Sequence, residues 1–95
     1  MSDNRPMPKP RIARSTKALD TLLGRRLREV RMEKGLSQAA LGDAVGVSFQ
    51  QIQKYERGTN RISASTLFAI CQFLDCPIEK MFADLAPTPK RPTKR

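Results

Sequence analysis

Near the middle of the chain, two short amphipathic patterns meet at a glycine. In QAALGDAVGVSFQQIQKYER, residues 38–57, apolar side chains fall at Leu41 and Val45, at Val47, and then at Ile52 and Tyr55. Leu41/Val45 is an i, i+4 pair and Ile52/Tyr55 an i, i+3 pair, spacings that bring side chains onto one helical face. Between them, Gly46 can take a positive φ and stop the first helix, and Ser48 can cap the second. The second pattern turns glutamines and a lysine outward, where it has no core to fill.

The same reading extends in both directions. Leu19, Leu23, Leu27 and Val30 recur at spacings of four, four and three, with Leu22 beside them, and predict a helix from about Leu19 to Lys34 that Gly35 ends. Leu36 then tucks toward the core, and Ser37 caps a helix from about Gln38 to Val45. The next runs from about Phe49 to Arg57 and closes at Gly58; with its predecessor it forms a helix-turn-helix unit. After a polar loop at 58–62, Ser63 caps a fourth helix carrying Leu67, Ile70, Cys71 and Leu74 on one face. Asp75 ends it, since aspartate visits the left-handed region more readily than most residues. Pro77 and Glu79 open a fifth helix, about Ile78 to Leu85, with Ile78, Met81, Phe82 and Leu85 available for packing. The expected fold is all-α, five short helices with no strand of note. The division is a flexible basic arm at 1–18, a helical domain at 19–86 and a basic disordered tail at 87–95.

Charge changes the picture by its placement. Of the formal +9, the first nineteen residues hold +4 (Arg5, Lys9, Arg11, Arg14 and Lys17 against Asp3) and the last nine another +4 (Lys90, Arg91, Lys94 and Arg95). The middle is left at +1. A nearly neutral body between basic arms suits a polyanion partner; the competing reading is tails that only aid solubility. Pro6, Pro8 and Pro10, with little apolar content, make the N-terminal arm extended and mobile.

Some chemistry is excluded outright. No apolar run approaches the ~20 residues of a membrane span, and the start lacks the apolar core of a signal peptide, so the cytoplasm is the expected location. There is no histidine and there are two cysteines, Cys71 and Cys76, which makes a zinc site within one chain implausible. Both read as core thiols, with an oxidation sensor as the lesser reading. No glycine-rich phosphate loop and no thiol with a partnering base is present, and Asp43, Asp75, Glu79 and Asp84 sit at cap and surface positions. The chain is not expected to be an enzyme; no cofactor, metal or small-molecule substrate is expected.

The stretch LGRRLREVRMEKGLSQAALGDAVGVSFQQIQKYERGTNRISASTL, continued by FAICQFLDCPIEKMF, resembles the Cro/phage-repressor helix-turn-helix family, also called the xenobiotic-response-element type, from about Leu23 to Phe82. It is similar to the single-domain bacterial or phage regulators of that family. Gly35-Leu36-Ser37-Gln38, the five apolar positions, Gly46 and the ending Tyr55-Glu56-Arg57-Gly58 all fall in register with it. The one departure is Gly42, where the family prefers alanine; glycine keeps the close helix contact but costs up to ~1 kcal/mol of helix propensity.

The resemblance implies a compact, lambda-repressor-like five-helix domain acting as a sequence-specific transcriptional regulator of double-stranded DNA. In relatives the second helix of the pair lies in the major groove. Its outward residues here are Phe49, Gln50, Gln53 and Lys54. Gln50 suits the N6 and N7 of adenine, Lys54 the N7 and O6 of guanine, and Phe49 a thymine methyl. Phe49 packed against the preceding helix, and Gln50 and Lys54 as an ordinary solvated face, are the competing readings. Gln38 matches a phosphate-binding glutamine at a helix start, where exposed amides favour an anion. Ser48, Arg57, Thr59, Asn60 and Arg61 would hold other phosphates, setting register without reading sequence. Arg31 and Glu56 match an inter-helix salt bridge of the family, against the alternative of two exposed charges. Arg11 and Arg14 could follow the backbone or enter a minor groove.

One small helical module usually needs a second copy to bind specifically, and many relatives pair through their last helices. Phe68, Phe73, Met81, Phe82 and Leu85 are therefore candidates for a homodimer contact, although each could instead finish a small core. The alternative function is an antitoxin-like or other protein-interaction module on the same fold, which would be expected to carry amphipathic flanks. These flanks are polar and basic instead.

Overall fold

The computed structural model describes residues 15–85, and over that span every regular element is helical. The first helix, α1, is Thr16–Glu33. It begins three residues before the apolar periodicity does, because the Ser15 hydroxyl accepts from the Ala18 amide at 3.0 Å and caps it. Residues 16–18 therefore belong to the helix rather than to an arm. The rest of the expected arm, with Arg11 and Arg14, and the expected tail at 87–95 lie outside the described residues.

A left-handed Gly35 (φ +72°) ends α1, and the Leu36 amide turns back to the Arg31 carbonyl at 3.2 Å. Helix α2 is Gln38–Val45, capped by Ser37 and ended by Gly46 at φ +80°. Helix α3 is Phe49–Arg57, capped by Ser48, whose hydroxyl takes the Gln51 amide at 3.1 Å. Helix α4 is Ala64–Leu74, capped by Ser63 and ended by Asp75 at φ +52°. The serine caps of α2, α3 and α4 place the loops within a residue of where the periodicity breaks.

The last helix, α5, is Ile78–Phe82 and stops before the expected Leu85. Its end is held from across the molecule: the Arg26 guanidinium of α1 donates to the Lys80 carbonyl and, at 2.7 Å, to that of Ala83. With those C-terminal carbonyls satisfied, the chain turns through Ala83 and a left-handed Asp84 (φ +62°). Leu85 then folds back to be buried.

The core is one cluster. Leu27 and Val30 of α1, Leu41 of α2, Ile52 and Tyr55 of α3, and Leu67, Ile70 and Leu74 of α4 meet with Met81 of α5. Each fully buried aliphatic side chain contributes about 1.5–3 kcal/mol. Two of the five residues expected to face a partner are consumed here: Met81 is 0% exposed and Leu85 6%. The short α5 lies across α1 and α4, so its inward side closes the core and only its outward side is left over. Phe68, Phe73 and Phe82 remain exposed, at 58%, 46% and 48%.

Candidate nucleic-acid interface

Helix α3 and the turn that leads into it are each held by a close backbone approach made possible by a glycine. A Cβ at Gly24 of α1 would lie 2.2 Å from the Tyr55 carbonyl oxygen and 2.8 Å from that of Glu56. A Cβ at Gly42 of α2 would lie 2.5 Å from the Val47 carbonyl oxygen. Both distances are far inside van der Waals contact with backbone that cannot simply rotate away. An alanine at 42 would push the Val47 backbone aside here, so Gly42 does more than tolerate a loss of helix propensity. Gly24 was not singled out from the sequence, although a glycine within an amphipathic helix, between Leu23 and Leu27, is the signal that would have found it.

A buried ion pair locks the far end of α3. Arg31 donates from Nε to Glu56 Oε2 at 2.6 Å and from Nη2 to Oε1 at 2.9 Å, a two-pronged contact between groups 8% and 7% exposed. Its Nη1 donates to the Leu36 carbonyl at 2.7 Å. Gln38 Nε2 completes the cluster, donating to Glu56 Oε1 at 3.0 Å. The hydrogen bonds that Arg31 donates to Glu56 raise its pKa above the ordinary value despite the opposing effect of burial. One carboxylate thus ties the end of α1, the start of α2 and the end of α3. The sequence pointed to the Arg31–Glu56 partnership; Leu36 and Gln38 as further partners depend on the helix crossing and were not visible.

With Ile52, Tyr55 and Glu56 turned inward, the opposite side of α3 is set by helical geometry. Phe49 (47% exposed), Gln50 and Lys54 are exposed, and Gln53 is half-buried beside them. Among the described residues, the side chains of Gln50, Gln53 and Lys54 make no hydrogen bond. Phe49 stays largely out of the core, one turn from Gln53 on the same side of α3. Gln51 is half-buried between the faces.

The residues expected to hold phosphates are distributed less evenly. Ser48 and Arg57 are exposed at the two ends of α3. Thr59 Oγ1 donates to the Lys54 carbonyl at 3.2 Å, and the Asn60 amide reaches the same oxygen at 3.3 Å, so this loop wraps the helix end. Gln38, by contrast, is half-buried and engaged with Glu56, with its other amide hydrogen unspent. Arg61 points to the start of α1, donating to Asp20 Oδ2 and to Thr16 Oγ1, each at 3.1 Å. That partner was missed because forty residues separate the two in the chain. Exposed pairs of this kind are worth about 0–1 kcal/mol, so the charge is not immobilised.

A protein-family model described as helix-turn-helix matches residues 27–81. An uncharacterized HTH-type transcriptional regulator of Sinorhizobium medicae is 43% identical over 84 residues, covering 88% of this chain and 55% of that protein. An uncharacterized transcriptional regulator in the ATPase CF(0) region of Rhodospirillum rubrum is 52% identical over 67 residues, covering 70% and 62%. The chain thus spans about half the length of the curated relatives it matches. Among solved structures, the restriction-modification controller protein C.AhdI from Aeromonas hydrophila superposes with a TM-score of 0.64 at 32% identity, over 66% of this chain and 96% of that one. The P22 c2 repressor in complex with a synthetic operator gives 0.58 at 34% identity, over 62% and 89%.

Proposed function

The chain belongs to the helix-turn-helix family, and from that premise we propose that it is a sequence-specific transcriptional regulator that reads double-stranded DNA with α3. The observation that carries this is the outward side of α3. Four side chains able to contact base edges stand together on a helix whose other side is buried and braced by backbone contacts on two neighbours. Such rigidity is what discrimination between bases needs, since a misplaced donor loses its bidentate geometry. The regulator descriptions of the relatives and the operator-bound P22 c2 repressor support duplex DNA as the ligand.

In this reading, Gln50 meets adenine, Lys54 guanine and Phe49 a thymine methyl, with Gln53 at the edge of the contact. Ser48, Arg57, Thr59, Asn60 and Arg61 set register on phosphates, and Gln38 does so with its unspent amide hydrogen. The protein acts as a homodimer on a two-fold-related operator, paired through the exposed side of α4 and α5 where Phe68, Phe73 and Phe82 stand. It works in the cytoplasm, associated with the nucleoid. No helix among the described residues is long and apolar enough to cross a membrane.

Selection of bound sites from random duplex DNA tests the reading. Wild type should return a two-fold-related motif, and Gln50→Ala and Lys54→Ala should each relax the preference at one base position per half-site. Uniform weakening across all sequences would mean that these side chains touch only phosphate.

A further inference from the structure

The end of α4 brings the chain's two cysteines together. Asp75 sits in the left-handed region, its amide donates to the Gln72 carbonyl at 3.2 Å, and the Cys76 amide donates to the Cys71 carbonyl at 2.9 Å. This pair of bonds is the helix ending in which the last residue folds back over the one five before it, normally for an apolar contact. Here both positions are thiols. They are free, each 6% exposed, and they line one open groove with Phe68, Gln72, Pro77 and Ile78. Residues joined by such a backbone bond approach within the range that a disulfide spans, and both line the same groove.

We propose that Cys71 and Cys76 form a redox-active dithiol that closes reversibly to an intrachain disulfide, and that closure weakens pairing through the α4–α5 face. The second half rests on the homodimer reading above; the first half does not. The co-reactant is a low-molecular-weight disulfide. The Cys76 sulfur attacks one of its sulfurs, the external bond breaks, and one thiol leaves. Cys71 then attacks the Cys76 sulfur of the mixed disulfide and expels the second thiol. Two protein thiols lose two electrons, the external disulfide is reduced to two thiols, and each protein proton ends on a released thiol. Burial, and secondarily the nearby Cys76, raise the Cys71 thiol, which lowers its thiolate fraction and keeps it from making the first attack.

Closure matters because the groove is shared. A disulfide would hold Cys71 and Cys76 at a fixed dihedral, in the groove that Phe68, Pro77 and Ile78 also line. Phe68 and Ile78, 58% and 45% exposed, stand at the rim of the groove on the proposed pairing face.

The test equilibrates the whole chain with glutathione from fully reduced to fully oxidised, traps free thiols by alkylation and reads intact mass, with sedimentation equilibrium alongside. The two thiols should disappear together, with loss of two hydrogens and recovery on reduction. The dimer dissociation constant should rise about five- to tenfold, as when one packed contact is lost. Cys76→Ser should yield at most a mixed disulfide with glutathione and no closure. Cys71→Ala, which keeps the site apolar, repeats that control should the serine variant melt early. Thiols that stay free in oxidised glutathione, or that pair between chains, would overturn the dithiol. A disulfide that leaves sedimentation unchanged would overturn its effect on pairing. A monomer in reducing buffer would remove the homodimer reading and that effect with it, while the mass spectrum would still decide the dithiol.

Discussion

Helix α3 and the α4–α5 pair both leave one side uncovered, but the two surfaces are built in opposite ways. The α3 surface is polar, Gln50, Gln53 and Lys54, and sits on a base clamped by Gly24, Gly42 and the Glu56 cluster. The large side chains that α4 and α5 leave exposed are apolar, Phe68, Phe73, Ile78 and Phe82, and are carried partly by a helix of five residues. A polar side chain is desolvated at a cost that only well-placed partners return, so it needs a rigid mount. An apolar one gains from almost any complementary surface, so its mount can be slighter. The contrast matches the two partners proposed above, one recognised by hydrogen-bond pattern and the other by shape and burial.

Breaking the clamp should have the largest effect. Glu56→Ala would leave Arg31 buried without its counter-charge, and a loss of about 3–5 kcal/mol is expected in urea unfolding, with DNA binding falling in proportion. Replacing the pair together by Met at 31 and Leu at 56 should recover much of that stability, which would separate the cost of an orphaned charge from the worth of the pair. Gly24→Ala comes next. The added methyl meets the Tyr55 and Glu56 carbonyls, and about 1–3 kcal/mol should be lost although alanine is the better helix former. An unchanged melting temperature would mean that α1 and α3 separate easily, and the rigid-mount contrast would fall.

Substitutions on the surfaces themselves should act on binding and leave folding nearly alone. Gln50→Ala or Lys54→Ala should cost about 1–3 kcal/mol of discrimination at one base position, read by competition with single-base operator variants. Phe68→Ser should weaken self-association by more than about 1 kcal/mol in sedimentation, with the monomer's stability within about 0.5 kcal/mol of wild type. The smallest effect is expected for Asp20→Ala, which frees Arg61. Stability should change by less than about 1 kcal/mol, and DNA affinity should rise slightly at low salt because a competing carboxylate is gone.

Most of the fold was legible because its signals are local. Ser37, Ser48 and Ser63 each bond an amide three residues on, and Gly35 and Gly46 take positive φ where the periodicity breaks. The outward side of α3 followed from Ile52 and Tyr55 by helical spacing alone. The start of α1 was placed late because Ser15 caps ahead of the first apolar residue of the stripe. The end of α5 was placed late because Arg26, more than fifty residues earlier, supplies the partners for its carbonyls.

Caps, turns and faces are decided within about four residues of chain, and the amino-acid order by itself determined them here: five helices, a glycine-jointed pair, and a polar row on the second of that pair. Which surplus apolar residues become core was another matter. Met81 and Phe82 are neighbours on one short helix, yet one is fully buried and the other half exposed, because α5 packs one side against α1 and α4. That docking, the backbone contacts at Gly24 and Gly42, and the gathering of Leu36 and Gln38 around the Arg31–Glu56 pair arise only when separate helices meet, so the tertiary structure alone decided them.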